Sequence, residues 1–279
     1  MENKTLKIAC FQFELEKNNN FNLIENKLSD FFKNNQVDLI VLNELAVGGA
    51  GALEEKYYIE NYINYFQKLA NTENTWIIPG TFYEKINDCI FNVAPVINSN
   101  GEVVKKAIKM FPWLPYEENV SPGNDVCIFD YPNFGSIGVH ICYDLWFPES
   151  ARMMALNGAL LIINPTLTPT IDREVETIMA RSTAVQQQLY YVNVNSSGDQ
   201  GCGMSIAVDP NGEIIHKSEN HEDIFIIEIS NQLVNESRKN GMYNLGQPLK
   251  SFRDHPSFKN SYKIHNEYLQ SLGELKKPK

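Results

Sequence analysis

The sequence has no concentrated positive charge. Its 24 Lys and Arg face 34 Asp and Glu, giving a net charge of −10, and the one basic cluster is the terminal Lys276, Lys277 and Lys279. This argues against nucleic acid and anionic membrane surfaces as main partners, since both are bound through dense Lys/Arg patches; a solvated chain end accounts for the tail. Long apolar runs are missing as well: none approaches the ~20 residues that span a bilayer. A strand-like pattern begins within a few residues of Met1, so no signal peptide is expected. Cysteine is sparse and odd in number (Cys10, Cys89, Cys127, Cys142, Cys202). No C-x-x-C pair and no Cys/His cluster at zinc spacing occurs, so neither a disulfide framework nor a metal site is expected. Reduced thiols in a cytoplasm fit this usage.

What remains is an ordinary globular composition, 43% hydrophobic and 21% charged over 279 residues. That length can build a sizeable core without staples. With no compositional break to mark a linker, residues 1–250 read as one domain. Residues 251–279 read as an arm lying over the surface or reaching a partner subunit.

Apolar periodicity orders the chain. Leu6–Glu14 alternates like a half-buried strand, Phe21–Asn34 carries a helical stripe, and Val37–Leu42 is a short run typical of a strand covered on both faces. A second helix is expected over Glu54–Asn71, then paired strands over Trp76–Tyr83 and Ile90–Ile97, and another over Glu102–Ile108. Strands over Cys127–Tyr131 and Gly135–Ile141 lead to a turn at Cys142, a helix over Pro148–Asn157 and a strand over Ala159–Asn164. A helix over Glu174–Gln188 precedes strands over Leu189–Asn195, Gly203–Val208, Glu213–Lys217 and Ile224–Ile229. Gln232–Gly241 reads as a short helix or turn, and the remainder as largely irregular. Two runs each begin strand, helix, strand, helix and end in consecutive strands. This predicts an α/β protein built as a four-layer α-β-β-α sandwich of two mixed sheets.

Three polar residues each follow an apolar strand: Glu44, Lys109 and Cys142. Strand ends at the rim of a sheet are where α/β proteins build active sites. If the three converge, Glu44 can take the thiol proton and later activate water. Lys109 can lower the thiol pKa, as can the helix terminus expected after Cys142, and Lys109 can hold a developing oxyanion. The N–H of Tyr143 is placed as a second oxyanion donor. Taken singly, Cys142 reads equally as a small core hydrophobe and Glu44 and Lys109 as solvated surface charges. His140, on the Cys142 face of its strand by period two, is open to a place near the site or a structural role. Trp113, Tyr116, Trp146 and Phe147 can wall a pocket or simply pack. The loops Ala46–Leu53, Pro112–Asn119 and Thr166–Arg173 are where substrate choice would be set.

VDLIVLNELAVGG, KKAIKMF with YEENVSPGND, and GVHICYDLWFPESARMMALNGALLIINP resemble, in order, the three sequence blocks of the nitrilase superfamily of carbon–nitrogen hydrolases. IACFQFE and ARSTAVQQQLYYVNVNSSG also fit, so the resemblance covers roughly residues 5–230. It implies Glu44 as general base, Lys109 as stabiliser of the oxyanion and Cys142 as nucleophile. The family's second glutamate falls on Glu117 or Glu118, with Glu117 preferred because Tyr116 precedes it. Asn43 stands where the family usually has Pro, and Gln186-Gln187 where relatives often carry Glu-Asn. The implied activity is cysteine-dependent hydrolysis of a small amide or N-carbamoyl compound through a thioester, with no metal or organic cofactor. Nitrile hydrolysis and acyl transfer to an amine are rivals at the same site, and a non-catalytic binding protein on this fold is a further alternative. The resemblance also implies a homodimer.

Overall fold

Thirteen strands in two sheets organise the described residues of the computed structural model, which are 4–114, 116–258 and 266–274. The first sheet takes β1 (Thr5–Gln12), β2 (Leu39–Leu42), β3 (Trp76–Ile78), β4 (Phe82–Ile86), β5 (Cys89–Ile97), β6 (Val103–Ile108) and, from far along the chain, β13 (Asp223–Ser230). Its order is β13-β1-β2-β3-β5-β4, with β6 also paired to β5. The second takes β7 (Cys127–Tyr131), β8 (Gly135–Val139), β9 (Leu161–Pro165), β10 (Tyr190–Val194), β11 (Ile206–Val208) and β12 (Ile214–Lys217), in the order β12-β11-β10-β9-β8-β7. Both sheets are mixed: β1-β2-β3 and β8-β9-β10 run parallel, and the outer pairs antiparallel.

The two-residue period of each strand builds the layers. On β1, Leu6, Ile8 and Cys10 face Ile137, Val139, Leu161, Ile163 and Val192 of the other sheet in a buried core between the sheets. Ala9 and Phe11 face the opposite way, onto Ile24, Leu28 and Phe31 of α1 (Phe21–Phe32) and Phe66 of α2 (Ile63–Glu73). Beyond the second sheet, Ile162, Tyr191 and Val208 pack on Met154 of α3 (Pro148–Leu156) and Ala180 and Ala184 of α4 (Arg173–Gln187). The architecture is thus the four-layer α-β-β-α sandwich. The inner strands read as continuous apolar runs because both of their faces are covered. α5 (Asn231–Asn240) follows β13, capped by Ser230, whose hydroxyl accepts the Gln232 N–H.

Three segments differ from expectation. In the stretch 54–71 only α2 is α-helical; short 3₁₀ turns at Glu55–Tyr57 and Ile59–Asn61 come first. Tyr57, Tyr58 and Ile59 are buried in succession, which a single helical face cannot do. The strand expected over Trp76–Tyr83 breaks in two at Pro79-Gly80. Gly80 has φ +75°, and a Cβ there would lie 1.9 Å from the Asn43 carbonyl oxygen, so the residue is pressed against the segment that carries Glu44. The chain after Leu249 carries two short helices among its described residues: α6 (Pro248–Asp254) and α7 (Asn266–Ser271) bury Leu249 and Leu269 on the outer face of α3 and α4. The remainder of the expected arm, residues 259–265 and 275–279 with Lys276, Lys277 and Lys279, lies outside the described residues. No helix among them is long and apolar enough to cross a membrane.

Candidate active site

Each of the three strand-end residues is delivered by a short backbone device. Glu44 lies two residues past β2, where its N–H donates to the Thr166 carbonyl (3.2 Å) across the seam between the sheets. The chain then turns sharply at Leu45, φ +48°, whose N–H is taken by Thr81 Oγ1 at 3.1 Å. Lys109 follows β6 directly and stays tied to β5 through its N–H to the Asn92 carbonyl, 2.9 Å. Cys142 opens a 3₁₀ turn, Cys142–Trp146, with φ +47°. A side chain in that left-handed region is held at a cost of about 1–3 kcal/mol by the structure around it.

Asp144 enforces the turn. Its Oδ2 accepts the Ile141 N–H and its Oδ1 the Phe111 N–H, both at 2.9 Å, so one carboxyl ties the turn that carries Cys142 to the segment leaving Lys109. Burial pushes Asp144 up to about 7 against the pull of those two N–H groups. The turn's first i to i+3 bond runs from Asp144 N to the Ile141 carbonyl, which leaves the Tyr143 N–H outside this ladder.

Lys109, Glu44 and Glu117 meet in the interior, 2%, 3% and 9% exposed. Lys109 Nζ is 3.0 Å from Glu44 Oε1 and 2.7 Å from Glu117 Oε2. Glu117 is further held by the Trp113 N–H (2.6 Å) and the Tyr83 hydroxyl (3.2 Å). Asn92 Nδ2 bridges the carboxylates, donating to Glu44 Oε1 at 2.9 Å and Glu117 Oε1 at 3.3 Å. Glu118 is exposed and takes no part in this cluster.

Burial disfavours the Lys109 ammonium, but the negative charges of Glu44 and Glu117 outweigh it and hold Lys109 well above its ordinary range. Burial likewise opposes the Glu117 carboxylate, yet the Lys109 ammonium and its hydrogen bond keep Glu117 below its ordinary value. Glu44 is raised, by burial and by Glu117, despite Lys109. The Cys142 thiol is raised well above its ordinary range by burial and by the Glu44 charge. This corrects the expectation of a lowered thiol pKa. Lys109 does pull it down, but by less than burial pushes it up, and α3 begins only at Pro148, beyond the 3₁₀ turn. The thiol is therefore held protonated beside the Glu44 carboxyl rather than as a preformed thiolate.

Cys142 opens onto a narrow cleft walled by Trp113, Tyr143 and Trp146, with about 20 Å³ of internal space. On its far side Thr168 Oγ1 lies 4.0 Å from Cys142 Sγ and donates to Glu176 Oε1 at 3.2 Å. Trp146 Nε1 donates to the same oxygen at 3.3 Å, and Arg173 Nη1 pairs with Glu176 Oε2 at 2.9 Å. Phe147 and Tyr116 do not wall the cleft: Phe147 stacks on Phe111 with ring centroids 3.6 Å apart, and Tyr116 is mostly exposed against Trp113. His140 is structural. Its ring nitrogens lie 3.0 Å from the Tyr191 and Ser150 hydroxyls, and burial pulls its pKa down to about 3, leaving it neutral. Among the described residues no group of three His, Cys, Asp or Glu is placed to hold a metal ion.

Sequence reasoning missed Asp144 and the Arg173–Glu176 pair. Cys-x-Asp is visible in the sequence, but that both Asp144 oxygens take backbone N–H groups, one of them 33 residues away, is not. An Arg and a Glu three apart at a helix start normally read as a surface ion pair; these are 1% and 3% exposed.

The sequence model of the carbon–nitrogen hydrolase family matches residues 7–239. A protein described as a hydrolase in the agr operon of Staphylococcus lugdunensis is 30% identical over 217 residues, covering 74% of this chain and 93% of that one. An omega-amidase of Saccharomyces cerevisiae is 30% identical over 195 residues, covering 63% and 66%. Among solved structures, Saccharomyces cerevisiae Nit3, described as a member of branch 10 of the nitrilase superfamily, aligns with a TM-score of 0.76 at 25% identity, covering 84% of this chain and 93% of that one.

Proposed function

The chain belongs to the carbon–nitrogen hydrolase family, and from that premise we propose that it hydrolyses a small amide or N-carbamoyl compound through a thioester on Cys142. The observation that carries this reading is the buried Glu44–Lys109–Glu117 cluster set against the thiol. As Cys142 Sγ bonds to the carbonyl carbon, Glu44 takes the thiol proton. The carbonyl oxygen becomes an oxyanion, held by the Lys109 ammonium and the Tyr143 N–H. Glu44 gives its proton to the nitrogen, the C–N bond breaks, and ammonia or an amine leaves. Glu44 then takes a proton from water as the hydroxyl oxygen attacks the thioester. Collapse of this second tetrahedral species breaks the C–S bond, frees the acid and returns a proton to the thiol. A carboxyl raised above its ordinary pKa suits a group that takes and returns protons near neutral pH. Glu117 keeps Lys109 charged and fixed without touching substrate. Trp146 positions Glu176 beside the cleft. No metal or organic cofactor takes part.

Ammonia release from a panel of amides, carbamoyl compounds and nitriles tests this directly. The reading expects Cys142→Ala to lose turnover by about 10⁴-fold or more; retention of turnover would sink it.

The five unpaired thiols support a reducing compartment, the cytoplasm. A homodimer is supported by Val175 and Ile178, which share one face of α4, and by Ile171 in the turn just before it, all three exposed although apolar.

A further inference from the structure

Among the described residues, Lys109 and Arg173, the cations beside Cys142 and Glu176, are already committed. Lys109 pairs with Glu44 and Glu117. Arg173, 1% exposed, uses four of its five N–H groups on Glu176, Asn193 and the carbonyls of Gly203 and Met204. Among the described residues that line the cleft there is no Lys or Arg at all; the charged ones are Asp172 and Glu176.

The two carboxylates differ. Glu176 is buried, and both of its oxygens are taken by Arg173, Trp146 and Thr168. Asp172 is half-exposed at the mouth. It stands at the N-cap of α4, yet its side chain caps no backbone N–H. Oδ1 accepts the Thr170 hydroxyl at 2.5 Å, and Oδ2 has no hydrogen-bond partner among the described residues. An aspartate that forgoes the cap interaction leaves an acceptor and a negative charge at the cleft. The same cleft is lined by Trp113, Tyr143 and Trp146, aromatic rings whose π faces attract cations. A chain of net charge −10 adds a field that draws cations toward it.

We propose that the substrate class is a small amide whose remote end is an ammonium, recognised by Asp172 and the aromatic walls of the cleft. This rests on the amidase reading above and sharpens it: an amide carrying a remote carboxylate would set that charge against Asp172 with no free cation to answer it.

The test compares amides of matched length that differ only at the remote end: 4-aminobutanamide, pentanamide and succinamic acid, each followed by ammonia release. The expected order of kcat/KM is ammonium above methyl above carboxylate, with about tenfold between the first two. In Asp172→Asn the ratio of the first to the second falls by about fivefold, while Asp172→Glu keeps most of it; the ratio is internal to each variant, so a general loss of activity does not move it. Raising the salt concentration shrinks the ratio as well. Equal rates on all three, faster turnover of succinamic acid, or a ratio untouched by Asp172→Asn would overturn the proposal while leaving amide hydrolysis intact. No ammonia from any of the three, or from the wider panel of amides, would instead count against the amidase reading itself.

Discussion

Lys109 Nζ stands 2.7 Å from Glu117 Oε2, and the two are locked together by burial on every side. Glu44 can therefore face the thiol while Glu117 supplies the closer counter-charge to the ammonium. Replacing Glu117 with Gln keeps the shape and removes that charge. We expect kcat to fall by about 10²-fold, the scale of a misplaced electrostatic group, with a smaller change in KM. Glu118→Gln, at an exposed neighbour outside the cluster, should change neither. Steady-state kinetics of the two variants assigns the second glutamate.

Lys109→Met should unfold more easily as well as lose activity. It leaves two carboxyls facing each other in the interior, and breaking such a buried pair costs about 3–5 kcal/mol. Denaturant unfolding measures this. A Lys109→Met protein as stable as wild type would mean that the cluster is not under the electrostatic load described.

The pH profile follows from the directions of the shifts. Glu44 is raised, so the acid limb of kcat/KM should lie above the ordinary glutamate value of about 4.3. Cys142 and Lys109 are raised too, so the alkaline limb should lie beyond the ordinary thiol value of about 8.5. For stability the sign differs by residue. Glu117 has a folded pKa below its unfolded one, so its contribution is present above about 4.3 and is lost as pH falls through the folded value. The stability gap between wild type and Glu117→Gln should narrow as pH drops below that range.

Asp144→Asn tests the tie between turn and cluster. An amide nitrogen must replace one carboxyl oxygen, setting a donor against either Ile141 N–H or Phe111 N–H. The unmade bond should cost about 1–3 kcal/mol. Because the tie aligns Cys142 with Lys109, kcat should fall more than KM rises. Thermal unfolding and kinetics read the two effects separately.

Much of this site was legible because polar residues end apolar strands. Glu44, Lys109 and Cys142 are visible in that way, and the structure gathers them at one seam between the sheets. What the sequence hides is the direction of the electrostatics. A lysine beside a cysteine suggests a lowered thiol pKa, but depth of burial decides the sign, and burial is a property of the assembled layers. The Arg173–Glu176 pair and the break at Gly80 are hidden for a similar reason: each depends on a contact with backbone far along the chain, at Gly203 and Asn43. The largely irregular reading of the C-terminal stretch missed α6 and α7, because both are short and their burial comes from α3 and α4.

Mass in solution tests the proposed homodimer. A dimer of 31.8 kDa chains is expected, and a charge introduced as Ile178→Glu should shift it toward monomer. A monomeric wild type would contradict it.

The central claim is that Cys142 carries the acyl group. The direct measurement is the mass of peptides from protein quenched during turnover of an amide substrate. We expect an added acyl mass on the peptide containing Cys142 in the wild-type protein, less of it in Glu44→Gln, where the thiol proton has no acceptor, and none in Cys142→Ala. Turnover with no adduct on that peptide, or turnover that survives Cys142→Ala, would contradict it.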